Sequence, residues 1–275
     1  MRRTQQDSVA RRKAGERDGG RQTDQFVASF ARGLSVIRAF GEDSGRLTLT
    51  EVAARANLTR AGARRILLTL QALGYVGCDE RRFFLTPKIL DLGYSYLSTT
   101  PLWHLAEPFM EEVVNQVHES CSASVLDGTE IVYILRVPTK KIMTISLSIG
   151  SRLPAWCTSM GRVLLGDLPP ETLRDVLDRS QIKAYTSRTV TDRKKLEQII
   201  RDEHRKGWSL VNQELEDGLI SISVPLLGRN GRVIAAMNVS GHASRTTPTE
   251  MTRNVLPVLK LAAEKINAAL RLRPG

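Results

Sequence analysis

Apolar side chains recur along this chain at two spacings, and each change of spacing marks a change of element. From residue 28 to 40 they fall at helical intervals, with Phe30, Leu34, Ile37 and Phe40 on one side. A short helix follows, with Thr50 as its cap and Val52, Ala53 and Ala56 facing inward, small enough to admit a second helix at close range. Asn57-Leu58 breaks the run: Asn tolerates the left-handed backbone of a tight turn, and Leu58 supplies an apolar peg. Thr59 caps the next helix, whose buried stripe is Ile66, Leu67, Leu70 and Leu73. Gly74 ends that helix and Tyr75-Val76 opens a strand. Cys78-Asp79-Glu80-Arg81 then turns, and residues 82–85 return. Helix, tight turn, helix and hairpin together predict a winged helix-turn-helix, a module that lays its second helix in the major groove of DNA.

Thr86-Pro87 starts an amphipathic helix running to about Leu97, with Ile89, Leu90 and Leu92 on its apolar side, which reads as a linker. Ser98-Thr99-Thr100-Pro101 marks a boundary. Beyond it Leu102, Leu105, Phe109, Val113 and Val117 form a helical stripe. Strands at 123–126 and 130–137 flank Asp127-Gly128, a hairpin signal, and 143–149 reads as a third strand. Helices follow near 159–165, 170–177 and from a Thr191 cap to about Lys206. Strands at 209–211, 220–227 and 233–240 come next. A last amphipathic helix carries Val255, Leu259, Ala262, Ile266 and Leu270. The class is α+β, with a largely antiparallel sheet in the second part.

Charge placement sharpens the first half of that picture. Of the net +11, +7 falls on residues 1–86, where 16 basic side chains face 9 acidic ones, and +4 on the rest. Arg60, Arg64 and Arg65 lie off the apolar stripe near the start of the second helix, the end that reaches base edges, where Arg can bond guanine O6 and N7 together. Thr59 sits beside them. Arg81 and Arg82 at the wing tip are candidates for phosphate or minor-groove contact. A solvated basic face on a small bundle is the bland alternative. Spacing, basic recognition end and basic wing coincide against it. Residues 1–25 read as a disordered basic arm.

The 275 residues and 41% hydrophobic content suit two domains with real cores. Cys78, Cys121 and Cys157 show neither metal spacing nor even pairing, so reduced thiols are expected, with no metal and no cofactor. The chain shows no membrane-length apolar run and no signal-peptide core. The expected setting is therefore cytoplasmic, and nucleoid-associated when the protein is on DNA.

Three stretches of the second half are chemically loaded. Thr158 or Ser159 can cap a helix whose free N–H groups, continuing at Met160, suit a carboxylate, and Trp156 can stack on a flat ligand. An ordinary cap with a packed Trp fits the same residues. Asn212 to Glu214 precede Ser221 and Ser223, two apart on one strand face, and Asn238 and Ser240 repeat the alternation. A polar cavity or a wetted sheet face would each use them. Arg136 is the candidate cation for an anionic ligand, or a surface salt-bridge residue. Catalysis is not expected: Cys157 or Ser159 with His104, His118, His204 or His242 makes no known nucleophile motif.

The chain resembles the IclR family of bacterial transcriptional regulators over residues 26–271. The resemblance rests on LTLTEVAARANLTRAGARRILLTLQALGYV (47–76), LTPKILDLGYSYL (85–97), SIGSRLPAWCTSMGRVLLG (148–166), NQELEDGLISISVPL (212–226) and AAMNVSGH (235–242). The TSMGR, ELE-x-G and RRILLTL stretches are most similar to the branch governing aromatic-acid breakdown through the β-ketoadipate pathway. The resemblance implies a winged helix-turn-helix over 26–86, a linker helix over 87–100, and a GAF/PAS-like effector-binding and oligomerisation domain over 101–271. It implies dimers or tetramers on double-stranded operator DNA, and RNA polymerase as a further partner of an activator. It also implies an acid effector of the protocatechuate, 4-hydroxybenzoate, muconate or β-ketoadipate class. The effector would lie against Ser159, Met160, residues 212–214, Ser221, Asn238 and Ser240. Ser221 stands where many relatives carry Cys, Asn238 where Ser is common, and Trp156 is bulkier than usual. The rivals are a DNA-binding oligomer without a ligand and a metabolic enzyme with a basic appendage.

Overall fold

The computed structural model describes residues 26–41, 45–97, 102–139 and 147–272. The basic arm, the 98–101 boundary and most of the strand expected at 143–149 lie outside them. The chain forms two compact units, Met1–Ser98 and Thr99–Gly275.

In the first unit, α1 (Ala28–Arg38), α2 (Leu49–Arg55) and α3 (Arg60–Ala72) pack around Val36, Leu47, Val52, Leu67 and Val76. A three-stranded sheet of order β1-β3-β2 adjoins them, built from β1 (Leu47–Thr48), β2 (Val76–Asp79) and β3 (Arg82–Leu85). The α2–α3 turn is the one the sequence predicts. Asn57 takes φ 51°, Leu58 N–H donates to Ala53 O at 2.9 Å and Asn57 N–H to Ala54 O at 3.2 Å. Gly74 ends α3 the same way, at φ 83°, with Tyr75 N–H reaching Leu70 O at 2.9 Å.

Three local expectations are corrected. Thr48, not Thr50, caps α2: its hydroxyl accepts from Glu51 N–H while its own N–H donates to the Glu51 carboxylate at 2.7 Å. That backbone bond holds the Glu51 carboxyl below its ordinary range. On α1 the expected Ile37 and Phe40 pack against the core beside the more deeply buried Val36 and Ala39, whereas Leu34 and Phe30 stay exposed, Phe30 to 68%, because the helix carries a wider apolar stripe than the core behind it covers. Leu73, expected inside, is 53% exposed at the C-cap of α3. The linker region starts as one 3-10 turn, Pro87–Ile89, and continues as α4 (Leu90–Leu97).

The second unit is built on a six-stranded antiparallel sheet of order β6-β5-β4-β9-β8-β7. Its strands are β4 (Ser120–Asp127), β5 (Glu130–Val137), β6 (Arg152–Pro154), β7 (Ser209–Asn212), β8 (Leu219–Leu227) and β9 (Val233–His242). Of the strand expected at 143–149 only residues 147–149 are described, and these are loop and turn; β6 is the next strand among the described residues. Long helices α5 (Leu102–Val117) and α9 (Leu256–Leu272) pack on each other and on the sheet. The buried line of α5 runs through Ala106, Met110 and Val113, with Leu105, Phe109 and Val117 at its flanks. Against the serine-bearing face of β8 and β9 lies α6 (Ser159–Gly166), backed by α7 (Pro170–Arg179) and α8 (Arg193–Lys206). Asp192, rather than Thr191, caps α8 by accepting from Lys195 N–H at 2.7 Å. No helix among the described residues is long and apolar enough to cross a membrane.

Candidate functional site

The first unit presents a basic helix and a basic wing. Thr59 caps α3 by accepting from Gly62 N–H at 3.1 Å, and its own side of the helix is open to solvent. Arg60 and Arg64, one turn apart on α3, are exposed and engage no carboxylate among the described residues. Arg65 points around the helix, beside Leu34 and Ile66 along an apolar groove. The structure therefore separates Arg60 and Arg64 from Arg65. At the wing, Asp79 pairs with Arg82 and only Glu80-Arg81 close the hairpin. Both take positive φ, 46° and 72°, a conformation that side-chain-bearing residues adopt at a cost of about 1–2 kcal/mol. Arg46 bonds Asp79 at 2.6 Å and lies over the Phe84 ring, which braces the wing.

A residue held in strained backbone at an exposed tip points to its side chain as the reason. Arg81→Gly is expected to raise stability by up to about 1 kcal/mol, since Gly enters this conformation freely. The same change should weaken DNA binding and flatten its salt dependence by about one counterion. Melting and DNA titration across salt check the two halves. A variant that binds as well as the parent removes Arg81 from the interface.

The second unit holds a partly open cavity of ≈ 40 Å³ between the sheet and the start of α6. Arg136, Thr158, Ser159, Met160, Ser221, Asn238 and Ser240 all line it, together with Tyr133, Val211, Leu215 and Leu219, which sequence reasoning did not single out. Asn212, Glu214, Trp156 and Ser223 are not on its walls. Trp156 is buried at 1% exposure, stacked on Tyr185 at 6.0 Å, so it packs the core instead of offering a face to a guest. Glu214 is engaged by Arg162 at 2.7 Å and by Val190 N–H at 3.2 Å. Ser223 is fully buried on the sheet.

Packing against Ala155 sets where α6 begins. Thr158 caps the helix by accepting from Gly161 N–H at 3.3 Å. A Cβ on Gly161 would fall 2.1 Å from Ala155 O, so only Gly lets the first turn sit this close. The N–H groups of Ser159 and Met160 have no partner within the helix, and both residues line the cavity. Arg162 then ties the helix down from behind, donating to Trp156 O at 3.0 Å and to Glu214. The Thr186 and Thr189 hydroxyls hold the backbone of Gln213 and Glu214, each at 2.6 Å. Loop 213–218, which carries Leu215 over the cavity, is thereby fixed to the first turn of α6.

The sheet side is a field of small polar groups. Cross-strand register aligns Arg136, Ser122, Asn238, Ser223 and Ser209 in one row over β5, β4, β9, β8 and β7. Ser120, Ser240 and Ser221 form the row beside it. Ser221 is the hub: its hydroxyl meets Ser159 at 2.8 Å, Asn238 Nδ2 at 2.9 Å and Ser240 at 3.1 Å. Arg136 reaches over to the Ser122 hydroxyl at 3.4 Å. A bulge in β5 opposite Ala123/Ser124 turns both Tyr133 and Arg136 onto this face, although they stand three positions apart, an odd offset.

Burial pushes the Tyr133 phenol up to about 12 and the Cys157 thiol up to about 12. Both are neutral at physiological pH. Cys157 is thus an apolar wall and no nucleophile, and the Ser159 hydroxyl is taken up by Ser221. At the far end of the row, Ser209 donates to Glu203 at 2.8 Å, and burial raises that carboxyl. No group of His, Cys, Asp and Glu suited to a metal occurs among the described residues.

Comparison with known proteins agrees with this division. Residues 29–80 match the IclR helix-turn-helix domain and residues 94–268 the bacterial transcriptional regulator IclR C-terminal domain. The Pca regulon regulatory protein of Pseudomonas putida is 44% identical over 242 residues, which is 88% of this chain and 83% of that protein. The p-hydroxybenzoate hydroxylase transcriptional activator of Acinetobacter baylyi is 35% identical over 249 residues, 89% of this chain and 92% of its own. Among solved structures, an IclR homolog from Microbacterium hydrocarbonoxydans in complex with 4-hydroxybenzoate superposes with TM-score 0.79 at 25% identity, covering 90% of this chain and 100% of that one. A basic recognition helix and wing in one unit, a polar cavity in the other, and family matches over both units lead to one assignment: the chain belongs to the IclR family of bacterial transcriptional regulators.

Proposed function

We propose that this regulator is a one-component switch controlled by a small carboxylic acid, aromatic or dicarboxylic, in a pathway of aromatic-compound breakdown. The observation that carries this reading is the cavity itself. It combines the Arg136 cation, the free N–H groups at the start of α6 and a wall of serine hydroxyls, a set that matches one carboxylate on a small body. One relative is a p-hydroxybenzoate hydroxylase transcriptional activator, and a structural neighbour holds 4-hydroxybenzoate. At ≈ 40 Å³ the cavity is smaller than the roughly 150 Å³ that accommodates benzene, so an aromatic guest has to part the leucine walls as it enters. Such a guest rewards one arrangement of the unit over another, which is what a switch needs.

In this reading residues 1–25 are a basic arm, 26–86 the DNA-binding head, 87–100 the linker that carries the signal, and 101–271 the effector and oligomerisation region. Thr59, Arg60, Arg64, Arg81 and Arg82 face operator DNA, with Arg65 at the margin of that face beside the groove. Self-association as a dimer or tetramer is supported by apolar surface on the first unit: Phe30, Leu73 and Leu92 border one groove and are at least half exposed. RNA polymerase is a further partner if the operator lies where binding activates, and the protein on DNA is nucleoid-associated.

Thermal melting against protocatechuate, 4-hydroxybenzoate, muconate and β-ketoadipate tests the reading. An acid at one hundred times its dissociation constant adds roughly 2.7 kcal/mol, or about 5–10 °C for a unit of this size. No shift with any of them favours an unliganded oligomeriser. Arg136→Ala is expected to weaken the responding acid by roughly tenfold to a hundredfold and leave DNA binding intact. An unaltered response would put the Arg136 charge outside the effector contact.

A further inference from the structure

Asn238 lies on the cavity wall at 4% exposure, in the middle of the polar row. Both hydrogens of its Nδ2 are used, one on Ser221 and one on Ser240, each at 2.9 Å. Its Oδ1 is buried with no partner among the described residues, and so is the hydroxyl of Ser223, its register neighbour on β8. An orphaned buried amide oxygen is costly, and most native proteins satisfy such groups. The missing partner has to be a hydrogen-bond donor. A second carboxylate would set acceptor against acceptor at this spot, close to the row that ends at Glu203. The opposite end of the row carries Arg136, two strands away from Asn238, and so suits the acid group.

We infer that Asn238 is the specificity-determining residue of the cavity, and that it selects acids carrying a hydroxyl donor, such as hydroxybenzoates, over bare or dicarboxylic acids. The inference rests on the acid-effector reading and narrows it. The acid group lies toward Arg136 and the start of α6, and the hydroxyl donates to Asn238 Oδ1. A site built around a ligand hydroxyl rejects the analogue without it, because the protein group is then left unpaired against an apolar surface.

The test compares isosteric probes on the full-length protein by titration calorimetry. The 3- and 4-hydroxybenzoates are set against 3- and 4-methylbenzoate, with adipate as the dicarboxylate. At least one hydroxybenzoate is expected to bind about tenfold or more tighter than its methyl counterpart and than adipate. In Asn238→Leu, of nearly the same volume, that preference should shrink to within about threefold while the methyl acid still binds, which also reports that the cavity is intact. The wild-type comparison stands alone if the variant does not fold. Equal binding of hydroxy and methyl acids, tighter binding of adipate, or a preference that survives in Asn238→Leu overturns the inference and leaves the acid-effector reading in place. Binding of none of the five overturns both.

Discussion

Arg162→Ala should lower the stability of the C-terminal unit by about 3–5 kcal/mol, the range for breaking a buried ion pair from one side. The Arg162 side chain is 1% exposed and that of Glu214 11%. Removing the guanidinium strands the carboxylate and also takes the donor from Trp156 O. For a unit of this size the melting transition falls by about 6–20 °C. Glu214→Gln should cost less, because an amide oxygen still accepts from Val190 N–H. Arg162→Met combined with Glu214→Leu should recover much of the loss, since a pair replaced by apolar side chains leaves no buried charge behind. A change under about 1 kcal/mol in Arg162→Ala would show that the pair does not hold loop 213–218 to α6. The same cycle bears on the effector site, because that loop and that helix turn are two of its walls.

The second large effect concerns DNA. Arg64→Ala is expected to weaken binding to a selected operator by about 1–3 kcal/mol, the worth of a bidentate guanine contact, and Arg60→Ala by a similar amount. Arg65→Ala should cost less than either, because its side chain lies along the groove beside Leu34 and Ile66. Each lost contact should appear in one of two ways. Loss of a base contact relaxes preference at one position, whereas loss of a phosphate contact weakens all sequences alike and reduces the salt slope by about 1. Binding to an operator selected from random duplexes, measured across salt, distinguishes these outcomes. Unchanged affinity in the Arg64→Ala/Arg65→Ala double variant would remove α3 as the recognition helix.

Much of the first unit was legible in the sequence because its signals are local. Asn57 and Gly74 mark left-handed turns through their own backbone tolerance, and both occur where expected. Thr59 lies directly before its helix and caps it. The Thr48 cap is legible too, as Thr48-x-x-Glu51, although Thr50 stands nearer the apolar run. The exposed Phe30 and Leu73 could not be read this way. Helical spacing reports which residues share a face, and only the packed neighbours report how much of that face is covered.

The effector side divides in the same manner. Period-two alternation placed Ser221 and Asn238 on cavity-facing positions, and a helix start at Ser159 beside them was readable from its cap. Trp156 reads as a stacking platform because a flat ring adjoins that start. Its actual neighbour is Tyr185, brought close by the fold. Glu214 reads as a ligand contact because it stands among polar residues. Its partner is Arg162, which stands 52 residues earlier with α7 and α8 between them.

By itself, then, the sequence determined the order of most elements, the α2–α3 turn with the Thr59 cap, the basic face of α3 and the polar character of two strands, all of which depend on residues within a few positions of one another. Tertiary structure alone decided which polar groups share the cavity. Tyr133 and Arg136 would point to opposite faces of a regular strand, and a bulge across from Ala123/Ser124 brings both inward. Strand parity is a local property, but where parity breaks depends on the partner strand, whose register is set only once the sheet has formed.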